Sequence, residues 1–252
     1  MRIARLALIA SALCLIAEAA SAQSMFVRKP SQYLGYGYGN YDWKTYTSMW
    51  DAKFGAANIT SGNSIGSLSG YTSLFLDANQ PFTSTFNLTA AEQTEILAFL
   101  AGGGRLYAFG ENDAWTSWNN NILGLFGASF LGTAPNAGTP LVANNLTAGV
   151  NSINTPAPGN INNFNGGVNL FSNGIVGLFN SNSIVILDIN ICDDIYINDA
   201  DNRRFCQNVV DFTAGGPIVG PPVTAVPEPG SVALVGAGLL ALGFAARRRR
   251  TA

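Results

Sequence analysis

The sequence predicts an α/β fold with a mostly parallel sheet flanked by helices, and one strand–helix–strand unit carries most of that prediction. Residues 71–77 (Y-T-S-L-F-L-D) are β-branched and aromatic, which is typical of a buried strand. Thr89 then begins a helix as its N-cap, with Glu92 three residues later as in a capping box. Residues 105–110 (R-L-Y-A-F-G) form the next strand, and the short connections favour a parallel strand pair.

The first 22 residues have the three parts of a secretory signal peptide. Arg2 and Arg5 form a basic start, the stretch from Leu6 to Ala17 is apolar, and residues 20–22 read A-S-A. We therefore expect signal peptidase and the general secretion machinery to act on the chain, and the mature protein to begin near Gln23.

An aromatic cluster occupies residues 31–60. Residues 33–39 are expected to contain the first strand and a glycine-rich turn, and residues 45–54 the first helix. Two interpretations of the aromatic side chains remain open, namely stacking on sugar rings and ordinary anchoring of core and loops. The members of the cluster are Tyr33, Tyr36, Tyr38, Tyr41, Trp43, Tyr46 and Trp50.

Four residues near the ends of the two predicted strands form a possible ligand site. Asp77 closes the first strand and Glu111 follows the second, with Trp115 and Trp118 a few residues further on. Open α/β sheets usually bind ligands at the carboxyl ends of their strands. Asp77 and Glu111 could serve as an acid/base pair for glycan hydrolysis, although acids at strand ends also commonly cap helices.

The second half of the domain is expected to be irregular at first and regular again at its end. Residues 131–182 are rich in Asn, Gly, Ser, Thr and Pro, which favours short strands with many turns, an irregular β-rich insertion. Residues 184–189 (I-V-I-L-D-I) then predict a buried strand, and residues 205–212 the last helix.

Two cysteines remain after removal of the signal peptide, which contains Cys14. Cys192 and Cys206 form an even pair in an exported protein, and this favours a disulfide. The alternative, a reactive thiol, would need a neighbouring base and a lowered pKa, for which the sequence gives no indication.

A cluster of aspartates lies around the predicted bridge. Carboxylate oxygens suit Ca²⁺, but their spacing does not fit an EF-hand loop, and Arg203 and Arg204 could neutralise part of the cluster. We favour a solvated acidic loop and expect no metal and no cofactor. The calcium candidates of the alternative are Asp188, Asp193, Asp194, Asp199 and Asp201.

The composition excludes several function classes. The chain has no histidine, which removes His-dependent triads, general bases and metal sites. Its 15 acidic residues outnumber its 13 basic ones, and no basic patch indicates nucleic-acid binding.

Residues 88–106 read L-T-x-x-E-Q-x-x-I-L-x-F-L-x-x-G-G-R-L, and residues 205–212 form a closing helix. These features resemble the class I glutamine amidotransferase-like superfamily, which implies a flavodoxin-like domain over residues 23–216. Active members present a nucleophilic Cys, partnered by His, in the turn after the second strand. This chain has Gly110-Glu111-Asn112-Asp113 there. The resemblance therefore implies a non-catalytic relative.

The C-terminal region has three parts after a Pro/Gly-rich linker at residues 217–225. Residues 226–229 read V-P-E-P, that is Val226, Pro227, Glu228 and Pro229. The two prolines favour an extended segment that an enzyme can reach. Residues 231–246 are uncharged and apolar, at or below the length that spans a bilayer. Arg247, Arg248, Arg249 and Arg250 then stop transfer and remain cytoplasmic.

This order resembles the PEP-CTERM sorting signal of Gram-negative exported proteins, here residues 226–252. The resemblance implies an exosortase as partner, a transient anchor in the inner membrane by a short transmembrane helix, and delivery to the cell envelope or its exopolysaccharide. The alternative is an ordinary C-terminal anchor in which V-P-E-P is only a linker.

Taken together, the sequence predicts a non-enzymatic exported protein of the envelope or extracellular matrix that interacts with polysaccharide or surface proteins. The alternative is a glycan-active hydrolase that uses Asp77 and Glu111.

Overall fold

The computed structural model describes residues 23–29, 37–78 and 86–212 of the 252-residue chain. The predicted signal peptide, linker and sorting tail lie outside these residues. Among the described residues, no helix is both long and apolar enough to cross a membrane. The strands are β1 (Met25–Arg28), β2 (Ile59–Gly62), β3 (Ser73–Leu76), β4 (Arg105–Phe109), β5 (Ser129–Thr133), β6 (Ala137–Gly138), β7 (Ile153–Asn154), β8 (Gly159–Asn163), β9 (Val168–Asn169), β10 (Val176–Phe179) and β11 (Ser183–Ile186). The helices are α1 (Lys44–Phe54), α2 (Ala90–Ala101), α3 (Thr116–Gly124) and α4 (Asn202–Asp211).

A seven-stranded sheet in the order β2-β1-β3-β4-β11-β10-β9 organises the described residues. The first five strands of that order are parallel, whereas β10 and β9 pair antiparallel. The predicted α/β class and mostly parallel sheet are confirmed.

The first strand among the described residues is β1, which precedes the predicted segment 33–39, so the predicted position of the first strand is wrong. The predicted glycine-rich turn is present at residues 37–39, whereas residues 33–36 lie outside the described residues. Gly37 and Gly39 have φ angles of +106° and +81°, a left-handed conformation that suits glycine in a turn. The buried strand β11 ends at Ile186 rather than residue 189, and the last helix begins at Asn202 rather than residue 205.

The capping box at the start of α2 is confirmed. Thr89 Oγ1 accepts a hydrogen bond from Glu92 N at 3.2 Å, and Glu92 Oε2 accepts one from Thr89 N at 2.8 Å. Arg28, at the end of β1, donates its Nε to Glu92 Oε1 at 2.8 Å within the buried interior. This ion pair joins the start of α2 to the sheet.

Three members of the aromatic cluster belong to the core. Trp43, Tyr46 and Trp50 are fully buried and pack edge-on against Phe75 of β3 and Phe109 of β4, among other rings. Their burial holds α1 on the sheet and leaves no ring face for a ligand. The core-anchor interpretation is therefore correct for these three side chains.

The region after α3 is an irregular β insertion, as predicted. β5 pairs antiparallel with β8 through a shifted register, and β6 pairs with β7 over two residues. Leu170 and Phe171 bury completely, so the insertion contributes to the same core.

The predicted disulfide between Cys192 and Cys206 is present. It joins the short 3₁₀ turn Ile189–Cys192 to α4, and both cysteines are fully buried. The bridge ties the loop that follows β11 to the last helix.

Both ends of the described domain lie at the edge of the sheet where the parallel strands begin. Ser24 precedes β1, and its N donates to Thr72 Oγ1 at 3.1 Å, next to the start of β3. The carbonyl of Phe212, after α4, accepts from Arg105 Nη1 and from the Tyr107 hydroxyl at 3.2 Å each. The opposite edge, where the parallel strands end, is called the carboxyl edge below.

Candidate functional site

Three carboxylates follow three adjacent parallel strands at the carboxyl edge. Asp77 follows β3, Glu111 follows β4 after Gly110, and Asp188 follows β11 after Leu187. The strand order β3-β4-β11 and its register bring these positions to one side of the sheet. The structure thus places Asp77 and Glu111 at neighbouring strand ends, as the strand–helix–strand unit predicted.

The side chain of Glu111 is a buried carboxyl group surrounded by the backbone of the loops. Its residue is 2 % exposed, its Oε1 accepts from Asn112 N at 3.3 Å, and its Oε2 accepts from Ile189 N at 3.1 Å. Burial and, to a smaller extent, the neighbouring Asp188 raise the pKa of the Glu111 carboxyl to about 9. At neutral pH the side chain is therefore a neutral acid that holds the start of the loop after β11.

Asp188 and Asp193 extend this arrangement within that loop. Asp188 accepts from Asn190 N at 2.7 Å and from Ala157 N at 3.4 Å, which connects the loop to the insertion. Burial raises the pKa of the Asp188 carboxyl above its usual range.

Asp193 accepts from the backbone N–H groups of Ile195 and Tyr196 at 2.9 and 2.8 Å. Burial raises the pKa of the Asp193 carboxyl to about 6. Its carboxylate therefore closes a local turn, and we call Glu111, Asp188 and Asp193 the acid cluster.

The other calcium candidates serve separate backbone segments. Asp194 accepts from the first N–H groups of α1, those of Lys44 and Thr45, at 3.2 and 2.9 Å. Asp201 accepts from Asn151 N at 2.7 Å, and Asp199 is half-buried in the same loop. Within the described residues, no three His, Cys, Asp or Glu side chains are arranged to hold a metal ion.

The two tryptophans of the predicted ligand site donate their indole N–H groups to strand ends. Trp118 is buried and donates to Phe109 O at 2.7 Å, at the end of β4. Trp115 is half-buried and donates to Ala78 O at 3.1 Å, beyond β3. These bonds give both indoles a structural role, and stacking on a ligand stays a prediction.

Two further residues shape the carboxyl edge and were missed by the sequence reasoning. Asn119 Oδ1 accepts from Glu111 N at 3.0 Å, and its Nδ2 donates to Glu111 O at 2.6 Å. The backbone of Gly37 lies so close to the Asp77 carboxylate that a Cβ at that position would overlap it. The run of three asparagines at 119–121 and the glycine-rich turn were the only sequence signals for these contacts.

Comparison with protein families identifies the C-terminal region. Residues 225–250 match the model of the PEP-CTERM protein-sorting motif, which covers Val226 to Pro229 and the arginines Arg247 to Arg250. The match indicates an exported surface protein that an exosortase sorts and that is transiently anchored in the membrane. The sequence matches no curated protein.

Solved structures share the fold of the domain at low sequence identity. The mmIFT52 N-terminal domain is 15% identical with a TM-score of 0.58, over 78% of this chain and 99% of that chain. Alpha-L-fucosidase isoenzyme 2 from Paenibacillus thiaminolyticus is 14% identical with a TM-score of 0.51, over 75% of this chain and 32% of that chain. A glutamine amidotransferase from Thermotoga maritima is 8% identical with a TM-score of 0.46, over 75% and 81%. The resemblance to amidotransferases is thus a distant one.

Proposed function

We propose that this chain is a non-enzymatic exported protein that an exosortase processes at its C-terminus and whose domain then binds polysaccharide or other proteins at the cell surface. The match of residues 225–250 to the sorting motif carries the proposal. In that sequence the V-P-E-P motif lies at or near the site of processing, and the four arginines keep the end of the chain on the cytoplasmic side.

The burial of the strand-end acids supports the absence of catalysis. Asp77 is fully buried and Glu111 is 2 % exposed, and a substrate has to reach an acid before that acid can transfer a proton to it. The Glu111 oxygens already accept backbone N–H groups. The acids at the carboxyl edge therefore have a structural use in the arrangement of the loops.

One observation favours the alternative, a glycan-active hydrolase. A raised pKa of a carboxyl group beside a second carboxyl group is a common property of acid/base pairs in enzymes, and Glu111 beside Asp188 has it. The pair in such an enzyme would be Glu111 with Asp188 or with Asp77. For either pair to contact a substrate, the protein would need a movement that opens the carboxyl edge.

Mass spectrometry of the mature C-terminus tests the sorting function. We expect a C-terminus at or near residues 226–229 in a strain with an exosortase, and an intact tail in a strain that lacks it. Replacement of Pro227 and Pro229 by alanine should also leave the tail intact, whereas replacement of the linker prolines Pro221 and Pro222 should not. An intact Arg247 to Arg250 segment in every strain would contradict processing.

A glycan-binding assay beside a reducing-sugar assay separates the two candidate functions. The mature protein is incubated with extracellular polysaccharide, and both retention and sugar release are measured. Retention without release is expected. Sugar release that disappears in Glu111→Gln would overturn the non-enzymatic function in favour of the hydrolase.

A further inference from the structure

A groove of about 630 Å³ lies between α1 and α4. The α1 side chains along it recur at helical spacing, from Thr45 through Ser48 and Met49 to Ala52 and Lys53, and so share one face of the helix. The eight-residue interval corresponds to about 12 Å of helix. The lining residues of α4 lie at intervals of four and form the opposite wall; they are Arg203, Gln207 and Asp211.

The two cations of the groove are weakly neutralised. Lys53 Nζ lies 3.5 Å from Asp211 Oδ1, and the two side chains are 26% and 55% exposed, so water screens this pair. Arg203 donates Nε and Nη2 to the neutral oxygen of Asn198 at 3.0 and 2.8 Å. Within the described part of the chain, Arg203 forms no salt bridge. Two cations against one acid give this groove a positive balance in an acidic protein.

The remaining lining residues suit a ligand with hydroxyl groups. Ser48 donates its hydroxyl to Lys44 O at 2.8 Å, and its oxygen still has lone pairs to accept a hydrogen bond. Gln207 donates its amide N–H to Asp211 Oδ2 at 2.9 Å, and its amide oxygen is an acceptor for a further hydrogen bond. Met49 and Ala52 give the floor apolar carbon that can pack against the C–H face of a ring.

We propose that this groove binds a saccharide segment that carries carboxylate groups, with Arg203 and Lys53 each pairing with one carboxylate. The inference rests on the proposed binding of polysaccharide and names its site and the chemical class of its ligand. Arginine forms paired hydrogen bonds with a carboxylate, and lysine contributes a mobile point charge. Asp211 competes with the ligand for Lys53.

Calorimetric titration of the mature protein with oligogalacturonate tests the proposal, and the methyl-esterified oligosaccharide is the uncharged control. Oligogalacturonate should bind, the esterified form should bind far more weakly, and added salt should weaken the charged interaction. Equal binding of the two oligosaccharides would overturn the proposal.

Four variants locate the site. Lys53→Gln and Arg203→Gln should each weaken binding about fivefold, the upper range for an exposed ion pair. Arg204→Gln is the matched control, since it removes the same charge from the next residue of α4, outside the groove. Asp211→Asn should strengthen binding about twofold, because it frees Lys53.

The outcomes separate this inference from the proposed function. Binding of oligogalacturonate that Arg203→Gln and Arg204→Gln weaken equally would overturn the groove as the site, while saccharide binding itself would stand. No binding of any saccharide by the mature protein would overturn this inference and the binding of polysaccharide, while the sorting by an exosortase and the binding of other proteins would stand. A gain of affinity in Asp211→Asn with an unchanged melting temperature would support the groove as the binding site, independently of any loss of affinity in the other variants.

Discussion

The acid cluster at the carboxyl edge and the groove between α1 and α4 differ in the environment of their titratable side chains. Glu111 and Asp188 are buried, and backbone N–H groups occupy their oxygens. Lys53 and Arg203 lie at the surface, and their contacts are long or neutral. Burial turns the first group into part of the loop framework, whereas exposure leaves the second group available for a ligand. The difference teaches that titratable residues at the usual ligand edge of this fold need not form its binding site.

The largest effect is expected from pH. Because the pKa of Glu111 is raised in the folded state, the folded protein binds more protons than the unfolded chain between about pH 4.5 and about pH 9. The Glu111 carboxyl alone should therefore lower the free energy of unfolding by at most about 1.4 kcal/mol per pH unit as pH rises through that window, and the raised pKa values of Asp188 and Asp193 add to the fall. Urea unfolding at a series of pH values measures this slope.

Glu111→Gln imitates the neutral acid and should remove part of the slope, so that the variant is more stable than the wild type at pH 8. Asp113→Asn, an exposed acid two residues away, is the control and should leave the slope unchanged. An equal slope in the wild type and Glu111→Gln would mean that the acid cluster is more hydrated than its burial indicates.

The second largest effect is expected from removal of the disulfide that holds the loop of the acid cluster. Cys192 and Cys206 are separated by 14 positions in the sequence, and replacement of both by alanine should lower the free energy of unfolding by about 3 kcal/mol. The measurement is urea unfolding of the double variant beside the oxidised wild type. Cys206 is buried, whereas the groove residues of α4 are exposed or half-buried, so a loss of stability without a loss of saccharide binding would keep the two regions separate.

Much of this fold could be predicted from local signals. The capping box at Thr89 and Glu92 lies within four residues, and the strand–helix–strand unit is contiguous in sequence. The disulfide could be predicted from the number of cysteines, because only two remain after the predicted signal peptide. The strand β1 was missed because its four residues lie just after the predicted signal peptide and are too few for an alternating pattern.

The site was less accessible to sequence reasoning, because its contacts join distant segments. Asp77 and Glu111 could be placed on one edge from the parallel pair β3 and β4 alone. The proximity of Glu111 to Asp188 depends on β11 pairing with β4 after an insertion of irregular sequence. The groove depends on α1 and α4, whose helical spacing is visible in the sequence but whose packing is not.

A third effect separates a buried amide from an exposed one in the same run of asparagines. Asn119→Ala removes the acceptor for Glu111 N and the donors to Glu111 O and Asn112 O, all beneath the acid cluster. The variant leaves these buried backbone groups without their hydrogen-bond partner, which should lower the free energy of unfolding by about 2 kcal/mol. Asn120→Ala is the control, since its exposed amide accepts only from Phe130 N and should cost about 0.5 kcal/mol. Urea unfolding measures both losses. If the two variants lose the same free energy of unfolding, the hydrogen bonds of Asn119 to the Glu111 backbone contribute no more to stability than the exposed bond of Asn120.

The smallest effect is expected in the groove and completes the comparison. Lys53→Gln breaks a pair whose partners are 26% and 55% exposed, and it should change the free energy of unfolding by less than about 0.5 kcal/mol. Asp211→Asn should be equally neutral for stability, because the asparagine oxygen can still accept the hydrogen bond of Gln207. A thermal or urea unfolding curve that shifts by more than this in Lys53→Gln would assign the pair a structural role. An unchanged curve together with altered saccharide affinity would show that the groove, unlike the acid cluster, keeps its charges for a ligand.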